Sequence, residues 1–173
     1  IYEEDDRMKQ SLLKFENSIL HGFDIEMLPM RTGHFPDATK HIKDEIFMIC
    51  STYHFAKKSG SLLNIIFTIK ESNPVDGFWT IHCKSESTLL HAYSIMNSLM
   101  QPEYMIAHNG DGFDWKQMIT KTKYFGLFPS FVDHMSTKKL DHWEKNPKML
   151  ERFISISEVK TGANMKTECF TFN

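Results

Sequence analysis

Long apolar runs are missing from this chain. None approaches the ~20 residues that a helix needs to cross a bilayer, which excludes helical spans within the sequence. Cysteine is scarce: Cys50, Cys83 and Cys169 are far apart, odd in number and without a C-x-x-C pair. That pattern supports neither a zinc site nor a disulfide framework, so reduced thiols in an intracellular compartment are expected. The nine histidines include no H-x-x-x-H or H-E-x-x-H spacing. Taken singly, each reads as a structural or exposed side chain rather than a ligand. Repeats and low-complexity tracts are absent. A large excess of one charge is also lacking, and the net charge of −2 argues against coating nucleic acid through an overall field.

Core material, in contrast, is plentiful. The 173 residues include 14 Phe, 11 Met, 5 Tyr and 3 Trp. The hydrophobic and charged shares, 41% and 24%, are close to the globular average, and the length suits one domain. Charge is uneven along the chain. Residues 1–114 hold 10 Lys/Arg against 16 Asp/Glu, a net of −6, and residues 115–173 hold 10 against 6, a net of +4. An acidic half can hold cations and a basic half can meet phosphate. Ordinary variation in a solvated surface accounts for the same figures.

Periodicity predicts the elements. Met8, Leu12 and Phe15 share a helical face in residues 3–17. Residues 18–27 alternate as a strand, with Ile19, Phe23 and Ile25 on one side and Gly22, Asp24 and Glu26 on the other. A loop from Pro29 to about Lys43 follows. Residues 45–55, 61–69 and 78–83 read as strands. Ser85 is a suitable N-cap for a helix over 86–100 that buries Leu89, Ala92, Tyr93, Met96, Leu99 and Met100, and Pro102 stops it. A strand over 103–107, a glycine-rich loop and a helix over about 113–123 come next. Antiparallel strands followed by α/β units predict a mixed α/β sheet covered by helices. Beyond residue 124 the pattern weakens: Phe125 to Phe131 is apolar but broken by Gly126 and Pro129, although 152–159 and 167–172 suit a hairpin. The expected organisation is a lead-in over 1–17, a core over 18–123 and a peripheral segment over 124–173, the least well packed part for want of partners.

Two local signals point to chemistry. In Phe23-Asp24-Ile25-Glu26 the alternation of a strand projects both carboxylates from one face. Like charges side by side repel, and a divalent cation relieves that cost. Alone, the pair is better read as the solvated face of an edge strand. In Asn109-Gly110-Asp111-Gly112-Phe113-Asp114 the two glycines allow a sharp turn from strand to helix. Asp114 then falls in the first helical turn, where the macrodipole favours an anion. A plain helix cap, with Phe113 as a core anchor or Asp111 as the cap, reads equally from these residues. Together the two segments suggest three carboxylates converging at a sheet, suited to magnesium or manganese. Two such ions about 3.5–4 Å apart can cleave a phosphodiester.

At these residues the chain resembles the 3′–5′ proofreading exonuclease domain of family B DNA polymerases, of the delta-type and large DNA virus kind. Phe23-Asp24-Ile25-Glu26 is similar to the Exo I motif, and Asn109 to Asp114, as N-x-x-x-F-D, to Exo II. Gly33-His34-Phe35-Pro36, the run Asp44 to Ile49 and the run Ser87 to Asn109 extend the likeness over residues 19–123. The resemblance implies a ribonuclease H-like fold and two Mg²⁺ or Mn²⁺ ions held by Asp24, Glu26 and Asp114. It implies that Asn109 and Phe113 hold a frayed primer 3′ end, with Lys116, Lys121 and Lys123 as candidates for phosphate contact. The reaction would hydrolyse the last phosphodiester and release a deoxynucleoside monophosphate. Implied partners are single-stranded or primer-terminus DNA and the rest of a polymerase chain, with no membrane, in the nucleus or at a viral replication site in the host cytoplasm.

One family element is not found. The fourth carboxylate belongs to an Exo III motif, Y-x-x-x-D, whose only match is Tyr2 to Asp6, ahead of Exo I. The variant H-x-x-x-x-D does not occur, and Asp133 and Asp141 lack a tyrosine partner. Family spacing would put Exo III past residue 173, and Ile1 is not an initiator. The expectation is therefore a fold incomplete at its C-terminus: a piece of a longer polymerase, with little activity of its own. A non-catalytic scaffold of the same fold and a small standalone exonuclease are the competing readings.

Overall fold

The computed structural model describes residues 18–110 and 112–136 in full, and the backbone of 154–161 and 165–172. The expected helix over 3–17 and the cap alternative at Asp111 lie outside the described residues.

Seven strands form one sheet: β1 (Ile19–Leu28), β2 (Glu45–Phe55), β3 (Leu63–Thr68), β4 (Trp79–His82), β5 (Tyr104–His108), β6 (Ile154–Thr161) and β7 (Met165–Phe172). Their order across the sheet is β4-β3-β2-β1-β5-β7-β6. The β1–β2 and β2–β3 pairings are antiparallel, whereas β3–β4 and β1–β5 are parallel. The mixed α/β sheet is as expected.

Strand β1 alternates as its sequence predicts: His21, Phe23, Ile25 and Met27 are buried and Asp24 and Glu26 are exposed. It is not, however, an edge strand. It runs through the middle of the sheet, so the solvated-edge account of the two carboxylates fails. Parallel pairing with β5 spans only Leu20 to Gly22. Asp24 and Glu26 lie just past it, toward the carboxyl ends of both strands, where parallel sheets open their crevices. On the other side β2 continues the pairing, Asp24 opposite Cys50 and Glu26 opposite Met48.

Helix α1 (Glu86–Met100) begins with a capping box: Ser85 Oγ accepts from Thr88 N–H, and Thr88 Oγ1 accepts from Ser85 N–H. Gln101, in the left-handed region at φ 47°, ends it. Of the expected face, Leu89 and Tyr93 are buried and Ala92, Met96 and Met100 pack against the core, but Leu99 is 72% exposed and Leu90, Ser94 and Asn97 are buried as well. Polar side chains fit that stripe because the helix satisfies them. Ser94 Oγ donates to His91 O, and Asn97 Nδ2 to Tyr93 O.

Helices α2 (Asp114–Tyr124) and α3 (Phe128–Met135) complete the described layer. The core joins the buried side of β1 to the helices. Phe23 meets the Trp115 ring edge-on at 5.0 Å, and His21 stacks on Tyr53 at 4.3 Å. Burial pushes the His21 imidazole down to about 3, so it is neutral at physiological pH.

The C-terminal strands form the expected hairpin, but not the expected unpartnered segment. β6 and β7 pair as an antiparallel hairpin, and β7 joins the sheet antiparallel to β5, from Met105 opposite Phe170 to His108 opposite Thr167. The segment therefore does have partners: the β5 edge left open by β1 supplies the hydrogen-bonding groups that β7 needs.

Candidate active site

The site forms where β1 and β5 end and α2 begins. Asp24 and Glu26 come from β1, His108 from the end of β5, and Asn109, Phe113 and Asp114 from the turn and first residue of α2. All six line one open cleft of about 730 Å³.

The turn is tied by backbone bonds: Phe113 N–H donates to Asn109 O at 3.0 Å and Trp115 N–H to Gly110 O at 2.9 Å. Its left-handed residue is Asn109, at φ 55°. Asparagine tolerates that region because its short amide can bond locally. Gly112 serves close approach instead: a Cβ there would stand 2.2 Å from Asn109 Oδ1. The glycine signal is thus one of space around the Asn109 amide.

Asp114 is the first residue of α2, where its charge faces the positive end of the helix dipole. It is 2% exposed, and its Oδ1 accepts the Ile25 N–H at 3.2 Å. That bond ties the helix start directly to the strand segment between Asp24 and Glu26. Burial pushes the Asp114 carboxyl up to about 6; the Ile25 N–H opposes this and the Asp24 charge adds to it. Partial burial likewise pushes the Asp24 carboxyl up, with His108 and the Ile25 amide pulling it partly back. The region is therefore short of positive charge, and a cation is what would relieve it.

The donor set fits a hard divalent ion, which prefers oxygen ligands. Among the described residues no three histidine, cysteine or carboxylate side chains are grouped closely enough to hold a metal ion, so Asp24, Glu26 and Asp114 line one cleft without forming a three-carboxylate cluster. Magnesium does not need one, since it keeps several waters and takes one or two carboxylates beside substrate phosphates.

The other expected site residues divide. Lys116 lines the cleft. Lys121 does not: it is 2% exposed, its Nζ 2.8 Å from Glu86 Oε2 and donating to Ile42 O at 2.7 Å. The expectation that it meets phosphate is wrong, because its charge is spent inside the fold. Lys123 is exposed and its Nζ lies 4.9 Å from the centre of the Phe128 ring, away from the cleft residues. Phe113 is half-buried: it packs on the edge of the core and still lines the cleft, so anchor and site residue are one side chain.

Several cleft residues had no assigned role. Phe35, 75% exposed, stands 5.2 Å from the Phe113 ring, an aromatic pair at the cleft surface. Its signal was present in Gly33-His34-Phe35-Pro36, an apolar ring in a loop of breakers. His108 directly precedes Asn109, and Gln117 follows Asp114 by about one helical turn. Gln117 Oε1 accepts from Ala38 N–H at 2.7 Å and its Nε2 donates to Asp37 Oδ1 at 3.2 Å, which fastens the loop after β1 to α2.

Comparison with known proteins agrees with this arrangement. Residues 3–168 match the family described as DNA polymerase family B, exonuclease domain. Proteins named DNA polymerase beta from African swine fever virus are similar, among them those of a Namibian warthog isolate, a South African tick isolate and the Badajoz strain. Each is 26% identical over 149 residues, covering 84% of this chain. The chain spans 12% of the length of these relatives. The mixed sheet and its helices are the ribonuclease H-like exonuclease fold, and the chain belongs to the exonuclease domain family of the family B DNA polymerases.

Proposed function

We propose that this chain is the proofreading 3′–5′ exonuclease part of a DNA-directed DNA polymerase. It divides into a lead-in over 1–17, the exonuclease core over 18–123 and a peripheral segment over 124–173. One observation supports the reading above all: the Asp114 carboxyl is bonded to the Asp24–Glu26 strand and opens on the same cleft with a raised proton affinity. Asp24, Glu26 and Asp114 would hold two Mg²⁺ or Mn²⁺ ions. When bound, such ions lower the pKa of water and neutralise charge on a phosphodiester.

The other residues receive the strand. The Phe35–Phe113 pair offers a stacking surface for the last base, which suits any of the four bases. Asn109 presents its amide to the terminal nucleotide, and Lys116 supplies a counter-charge for its phosphate. Water attacks the terminal phosphodiester in line and a deoxynucleoside monophosphate leaves. The partners are single-stranded or primer-terminus DNA and the remainder of the polymerase, in the nucleus or at a viral replication site in the host cytoplasm. No helix among the described residues is long and apolar enough to cross a membrane.

The 173 residues contain no Y-x-x-x-D after Exo II, so the chain by itself trims DNA weakly or not at all. The test uses a 5′-labelled single-stranded oligonucleotide with Mg²⁺. We expect no more than a trace of shortened product from the 173-residue chain, and brisk trimming overturns that expectation. In the full-length natural protein, Asp24→Ala with Glu26→Ala should slow removal of a mismatched 3′ nucleotide at least about 100-fold, roughly 2.7 kcal/mol of transition-state stabilisation. Primer extension should be unchanged. Normal mismatch removal by that variant contradicts the assignment.

A further inference from the structure

A second pocket, of about 490 Å³, adjoins the cleft. It is formed by the loop after β1, and Arg31, His34, Lys40, His41 and Lys43 line it. Lys40 lines both pocket and cleft, so the two are neighbours across that side chain. Such a concentration of basic groups is unexpected within the half of the chain that carries a net of −6.

The loop also contains two carboxylates: Asp44, buried at the wall of this pocket, and Asp37, part-exposed at the cleft. Asp44 is buried, and its oxygens accept from Met30 N–H at 2.8 Å, Asp37 N–H at 2.8 Å and the His34 ring at 3.2 Å. Burial raises its carboxyl, yet the Asp37 and Met30 amides and His34 together hold it below the ordinary range. Asp37 accepts from the Thr39 hydroxyl, from Gln117 and from Lys40, all of which keep it ionised. Asp44 is thus met by His34 and Asp37 by Lys40 within the loop, and the cations left to face outward are Arg31 and Lys43. Arg31 and Lys43 are exposed and have no carboxylate partner among the described residues.

The loop is also fixed. Gln117 holds Ala38 N–H, and Lys121 holds Ile42 O. Both anchors lie on α2, the helix that begins with Asp114. The basic wall is therefore set relative to the carboxylate cleft rather than left to swing, which suits repeated capture of one extended polyanion.

We infer that the pocket of Arg31, His34, Lys40, His41 and Lys43 is a binding site for the phosphodiester backbone of the single strand whose 3′ end enters the cleft. The inference rests on the proposed reading for the direction of the strand. The carboxylates receive the scissile linkage, and the basic pocket grips phosphates further from the end. Acidic cleft and basic pocket thus divide the work that the charge halves of the sequence had suggested for residues before and after 114.

The test measures anisotropy of a 5′-fluorescein-labelled oligothymidylate, roughly 16 nucleotides long to fill one binding track. It is run in EDTA, so no metal or hydrolysis is involved. For single strands, log affinity falls with log salt by about 0.7 per phosphate contact. Arg31→Ala with Lys43→Ala should make that slope shallower by about 1.4, so the loss of affinity between about 50 and 200 mM salt shrinks roughly sevenfold. Lys57→Ala with Lys58→Ala removes the same charge from the exposed turn at the far end of β2 and should leave the slope near that of the unaltered chain. Equal slopes for the unaltered chain and the Arg31/Lys43 variant overturn the inference, as does failure of the unaltered chain to bind. If the slope falls but carboxylate substitutions leave divalent-ion binding intact, the strand site stands and the exonuclease reading fails. The converse result removes the strand site alone.

Discussion

Replacing Lys121 by methionine is expected to destabilise the protein by about 3–5 kcal/mol, the usual cost of removing one partner of a buried ion pair. Lys121 and Glu86 are 2% and 7% exposed and meet at 2.8 Å. Methionine fills much of the same volume but leaves two groups stranded. Ile42 O loses its donor, and among the described residues Glu86 keeps only the Ile46 N–H at 2.8 Å. Burial already pushes the Glu86 carboxyl up, and Lys121 opposes that rise. Without Lys121 the carboxyl pKa climbs further. The sign then follows: the variant regains stability as the pH falls and Glu86 takes up a proton. Urea unfolding at neutral and acidic pH checks both statements. Adding Glu86→Gln should recover most of the loss, because the amide still accepts from Ile46 N–H and leaves no charge unpaired. A loss this large is a substantial part of the 5–15 kcal/mol that a domain commonly has. Because Lys121 also holds Ile42, the variant should loosen the basic loop.

Asp114→Asn is expected to act in the opposite direction on the metal-free protein and raise its stability above pH 6. The folded carboxyl holds its proton up to about 6, whereas the unfolded one releases it near the model-peptide value of about 3.9. Between these limits the native state binds more protons, so stability falls as the pH rises. A shift of about two units corresponds to at most about 3 kcal/mol, and solvent screening in an open cleft reduces this to about 1–2 kcal/mol. Asparagine keeps the oxygen that accepts from Ile25 N–H and removes the charge. Thermal unfolding in EDTA should therefore show the variant gaining on the unaltered protein from about pH 4 to pH 7, with no gain at lower pH. Mg²⁺ should reverse the order, because only the carboxylate form gains from the cation. A stability cost held at a site that a ligand relieves is typical of functional positions.

Much of this site was legible in the sequence because strand alternation is a strict code. Once 18–27 is read as a strand, Asp24 and Glu26 must share a face, and they do. The bounds of α1 were equally legible, since Ser85 and Pro102 mark them by cap chemistry and steric exclusion. Pairing partners were not, because register depends on distant residues. That β1 is central and that β7 closes on β5 is a property of the whole sheet. The inward face of α1 is legible except at its polar members: Asn97 and Ser94 look polar, yet intrahelical bonds let them be buried, while Leu99 faces out. Helix α3 was missed because Gly126 and Pro129 read as breakers. Pro129 sits in the first turn, where its missing N–H costs nothing, and Gly126, at φ 69°, takes the left-handed region between α2 and α3. Lys121 was assigned outward on residue type alone; its partner Glu86 is 35 positions earlier, out of reach of any local pattern.

The central claim is that Asp24, Glu26 and Asp114 make one divalent-cation site. A Mn²⁺ titration followed by electron paramagnetic resonance at pH 7.5 tests it on the chain as it stands. The unaltered protein should deplete the free-ion signal. Asp24→Asn with Asp114→Asn should weaken binding at least about tenfold, a loss of roughly 1.4 kcal/mol, while the variant remains folded. Equal Mn²⁺ affinity in the two proteins would contradict the claim.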